Sequence, residues 1–68
     1  MTNVQLLKEK IKESGLKKAY IAGQIGIAPN TLTALLKNKA EFKASQIRTI
    51  CEVLNIQDPA EIKAIFFA

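Results

Sequence analysis

Ala22, Gly26 and Pro29 constrain this chain more than any other residues. Ile21 and Ile25 stand four apart and so share one helix face. Gly26 follows and suits the left-handed conformation that ends a helix. Pro29 suits the first position of a second helix, where its missing N–H goes unused. Leu32, Leu35 and Leu36 then resume helical spacing. Ala22, four residues before Gly26, lets the second helix cross close to the first; a larger side chain would hold them apart. Lys18 to Leu36 therefore reads as two short helices joined by a tight turn.

The remaining segments supply three more helices. Thr2-Asn3-Val4-Gln5 spells a capping box, with the Thr2 hydroxyl accepting from the Gln5 N–H and Gln5 reaching back to Thr2. Met1 and Leu6 fall at the staple positions. Val4, Leu7 and Ile11, with Leu6 beside them, form an apolar stripe; Lys8, Glu9, Lys12 and Glu13 form the wet face. Ser14-Gly15 stops this helix, with Gly15 as the left-handed cap, and Leu16 anchors the link to the next one. Phe42 should tie the following loop to the core. Ile47, Ile50, Cys51 and Leu54 form the core-facing stripe of a helix from about Lys43 to Leu54, with Val53 at its edge. Asn55 stops that helix and Ile56 folds back. Asp58-Pro59-Ala60-Glu61 opens the last helix: Asp58 caps, Pro59 takes the first position and Glu61 completes the box. Ile62, Ile65 and Phe66 share a face, and Phe67 points elsewhere. The expected architecture is all-α, a compact five-helix domain occupying residues 1–68 as one unit. Gly23 stands apart. A glycine inside a helix costs about 1 kcal/mol relative to alanine, so either a neighbour packs closely over it or the position tolerates it.

Composition narrows the function. Half the residues are apolar, enough for a small core that dimerisation would help. Cys51 is the only cysteine and there is no histidine, so neither a disulfide nor a metal site is expected. On its apolar stripe, Cys51 reads as a small buried hydrophobe. The six carboxylates are scattered and no glycine-rich phosphate loop occurs, so no enzyme activity and no cofactor are expected. No apolar run approaches a membrane span, and Met1-Thr-Asn-Val lacks a basic leader, so a cytoplasmic location away from membranes is expected. The net charge of +4 favours an acidic partner. Arg48 is the only arginine beside nine lysines, a set better suited to holding phosphate than to reading guanine.

The spacing of Ala22 and Gly26 with Ile21, Ile25, Ile27, Leu32 and Leu35 resembles the helix-turn-helix of the phage repressor and Cro family of transcription regulators. The flanking helices extend the likeness over nearly all 68 residues. The resemblance implies a lambda-repressor-like DNA-binding domain with a recognition helix from Pro29 to about Lys37. Its outward set is Pro29, Asn30, Thr31, Thr33, Ala34 and Lys37, and the family places Pro29, Asn30, Thr33 and Ala34 toward the major groove. Asn30 suits adenine N6 and N7; Thr33 offers a hydroxyl, or a methyl to thymine; Pro29 and Ala34 give apolar contact only. Lys39 and Lys43 match positions that touch the DNA backbone, and Lys37 brackets the same helix. Lys17 and Lys18 replace the family's capping Ser or Thr and the Gln after it. A facing phosphate would offset the cost of cations at a helix N-terminus. Asn38 takes a place where the family often has Gly, and Gly23 one where it has a polar or charged side chain. The implied partner is double-stranded DNA, bound by a homodimer on half-sites about one turn apart, with Phe66 and Phe67 as dimer or partner contacts. The alternative is an antirepressor: the same fold binding a partner repressor protein through Pro29, Ala34, Leu36 or Phe67.

Overall fold

A computed structural model of the chain describes residues 2–68. Its helices are α1 Val4–Ser14, α2 Lys18–Ile25, α3 Pro29–Leu36, α4 Ala44–Val53 and α5 Pro59–Phe66. No strand occurs among the described residues. Leu7, Ile21, Leu32, Leu36, Ile50 and Ile65 are fully buried, and they come from all five helices. A helix of eight to eleven residues is too short to be stable alone in water. Each therefore depends on the shared core to bury its stripe. α2 is the central piece and packs on both α3 and α4, while α1 meets α3 and α5. Ala22 has no solvent exposure, as a close helix crossing requires. Cys51 is buried in this core, and burial pushes its thiol pKa up.

Three helices end in the same way. Gly26, Asn38 and Asn55 take left-handed φ values of 85°, 57° and 57°. Just beyond each, a backbone N–H reaches back across the last turn: Ile27 to the Ala22 carbonyl at 3.0 Å, Lys39 to Ala34 at 3.0 Å and Ile56 to Cys51 at 2.8 Å. α1 solves the problem with a side chain. Gly15 is left-handed at φ 71°, and the Ser14 hydroxyl donates to the Ile11 carbonyl at 2.6 Å while accepting from the Leu16 N–H at 3.1 Å.

Two helix starts, those of α1 and α5, depart in part from expectation, while Pro29 takes the first position of α3 as expected. Asn3, not Thr2, caps α1: its side-chain oxygen accepts from the Leu6 N–H at 3.2 Å. The Asn3 N–H donates to the Ile65 carbonyl at 2.6 Å, so α5 holds the chain here and Thr2 is buried outside the helix. Met1, expected to pack on Leu6, lies outside the described residues. Asp58 does cap α5, accepting from the Ala60 N–H at 3.0 Å. Glu61 does not close the box. It pairs instead with Lys10 of α1 at 2.9 Å, and Glu13 lies 3.9 Å from the same ammonium. The bond to Glu61 raises the Lys10 pKa. Lys43 is the N-cap residue before α4, and its N–H donates to the Gln46 side chain at 2.9 Å.

Two residues expected to be available to a partner are in the core. Phe66 packs edge-on against Phe42, ring centres 5.5 Å apart at 82°, and is only 3% exposed. Leu36 is buried beneath α3 with Leu32 and Leu35. Phe67 remains outside at 61% exposed.

Candidate nucleic-acid interface

The leucines that fix α3 to the core leave its opposite face free. Pro29, Asn30, Thr31 and Thr33 are exposed and Ala34 is half-buried. Pro29 occupies the first turn, and no side chain caps the helix at Ala28. Eight residues give a helix about 12 Å long, comparable to the roughly 12 Å width of the DNA major groove. Asn30, Ala34 and Lys37 follow one another along the outer face at helical spacing. Thr33 lies beside them, and its hydroxyl donates to the Pro29 carbonyl at 3.1 Å.

Exposed lysines bracket this helix. Lys17 and Lys18 stand at the start of α2, where no side chain caps the first turn and its N–H groups stay open to an anion. Lys37 closes α3, Asn38 makes the left-handed turn, Lys39 follows in the loop and Lys43 opens α4. Lys10 is the only cation among the described residues within ion-pairing distance of a carboxylate. The cations around α3 are thus unneutralised within the chain, although exposed Glu41 sits between Lys39 and Lys43 in sequence.

The fold also gathers residues that sequence reading left out. Lys8 and Lys12 line one open groove with Lys18, over Ile11 and Leu16. Their four-residue spacing was visible, but it read as a solvated stripe because the return of Lys18 depends on the turn at Gly15. Tyr20, 53% exposed, stands on the outer side of α2 because Ile21, Ala22 and Ile25 face inward. Gly23 is resolved as a tolerated site: a Cβ built there meets no atom within 4 Å. No helix among the described residues is long and apolar enough to cross a membrane.

A compact set of helices with a tight helix-turn-helix, a free outer face on its second member and lysines on both sides defines a DNA-binding domain by class. The chain belongs to the Cro/C1-type helix-turn-helix DNA-binding domain family, whose model matches residues 6–65. No curated protein and no solved structure matches it.

Proposed function

We propose that the protein is a sequence-specific DNA-binding transcription regulator of the phage Cro/repressor type. α3 lies in the major groove of double-stranded DNA. Asn30, Thr33, Ala34 and Pro29 meet base edges, with Thr31 on the flank. Lys17, Lys18, Lys37, Lys39 and Lys43 hold phosphates, and Asn38 sets the turn that presents Lys39. The observation that carries this reading is the division of α3 into a buried leucine face and an exposed polar face with unpaired lysines at each side. A homodimer would place two such helices on half-sites about one turn apart. Phe67 is the exposed member of the C-terminal pair and the contact left to a second copy or to a partner repressor.

The test is fluorescence anisotropy of the purified protein on DNA from beside its own gene, against scrambled DNA, at several salt concentrations. Expected is a preference of about a thousandfold or more for one sequence. The affinity should fall steeply with salt, by about 0.9 log units per log unit for each phosphate held. Weak binding that is equal on both DNAs would overturn specific reading and leave the protein-binding alternative.

A further inference from the structure

We infer that this chain selects its DNA chiefly through thymine methyl groups, with the methyl of Thr33 as the specificity-determining contact. The inference rests on the proposal that α3 enters the major groove. A threonine there can read a base with its hydroxyl or with its methyl. In this helix the hydroxyl proton is already spent, because it donates to the Pro29 carbonyl one turn back. The oxygen can still accept, but it has no proton left to offer a base, and the methyl has no competing partner. Its neighbours extend the same chemistry. Pro29, four residues earlier, has no N–H and an apolar ring, and Ala34 offers a single methyl. Thr31 stands on the opposite flank of α3, beside Leu35 on the helical wheel. Asn30 is the one amide on the exposed face, and it suits adenine.

Base chemistry makes the strip selective in both directions. Thymine is the only one of the four bases that presents a methyl in the major groove. A guanine edge, with its O6 and N7 acceptors, set against Pro29, Thr33 and Ala34 would lose water without gaining a hydrogen bond, and a cytosine, although its amino group can donate to the Thr33 oxygen, brings no methyl to the apolar neighbours. The bases under this part of α3 are therefore A·T pairs with the thymine methyl turned toward Thr33. The adenine read by Asn30 lies in the same tract.

The experiment starts from duplexes enriched on the wild-type protein from a random-sequence library. Thymines of an enriched duplex are then replaced one at a time by deoxyuridine, which removes the methyl and keeps every hydrogen bond. At one or more positions affinity should fall about fourfold, the worth of one methyl taken out of water. Thr33→Val keeps the shape and the methyl and replaces the hydroxyl with a second methyl, so it should bind like wild type and show the same deoxyuridine loss. Thr33→Ser keeps only the hydroxyl; it should bind more weakly and no longer distinguish thymine from deoxyuridine. Circular dichroism confirms that both variants are folded. The inference falls if every deoxyuridine duplex binds like the parent, or if Thr33→Val loses binding that Thr33→Ser retains. If no sequence is enriched at all, the DNA-reading proposal falls and this inference falls with it.

Discussion

Gly23 and Gly26 lie three residues apart and answer to different physics. Gly23 sits inside α2 with open space where a side chain would be. Gly23→Ala should therefore stabilise the fold by about 1 kcal/mol, raising Tm by roughly 4–8 °C for a chain of this size. Gly26 is equally uncrowded, but its φ of 85° lies in the left-handed region. Gly26→Ala should destabilise by about 1–2 kcal/mol through backbone strain alone. Thermal denaturation of the two variants side by side checks the opposite signs; a loss at both positions would contradict the open space at Gly23. The role of Gly26 was legible in the sequence because Ile25 and Pro29 bracket it and a turn there needs a left-handed residue. The environment of Gly23 was not, since a vacant surface and a crowded crossing leave the same letter. Thr33 was equally open: sequence offers a hydroxyl and a methyl, and only the bond to Pro29 shows which is engaged.

At the scale of the helix, ends were easier to read than beginnings. Gly15, Gly26 and Asn38 take left-handed cap positions that suit them, and Asn55, expected only to stop its helix, takes one too. That conformation is closed by bonds within a few residues, so local sequence decides it. Helix starts compete with distant partners. Asn3 displaces Thr2 as the cap because the Ile65 carbonyl takes the Asn3 N–H. Glu61 leaves its own helix start because Lys10 lies across on α1. Phe66 and Phe67 are adjacent and alike, and only the docking of α5 sends the first to Phe42 and the second outward. Pro29 and Asp58 are starts that did behave locally. Asp58→Ala should cost about 1 kcal/mol, measured by denaturant unfolding. The loss should appear first as faster amide hydrogen exchange in α5, which carries Ile65 and Phe66 into the core. Unchanged exchange there would mean that packing alone holds α5.

For the molecule as a whole, charge placement decides what can be bound. Lys37→Ala with Lys39→Ala should weaken binding similarly on every DNA sequence and reduce the salt slope by about 2. Lys8→Ala with Lys12→Ala should do the same if the groove they share with Lys18 follows the DNA backbone. Lys63→Ala, on α5, serves as the control and should leave the slope unchanged. A titration of each variant across salt concentrations separates these outcomes. The all-helical fold was readable from the apolar spacing, because five short stripes admit little else. Which lysines share a groove was not, because that depends on how α1 and α2 meet. The two-sided character of α3 also bears on how such a chain changes through descent. Leu32, Leu35 and Leu36 hold the fold from beneath, while Pro29 and Asn38 fix the two ends. Asn30, Thr33 and Ala34 put no side chain into the core. Lineages can therefore exchange those three residues and acquire a new address on the genome while inheriting the same scaffold, and a laboratory graft can take the same route.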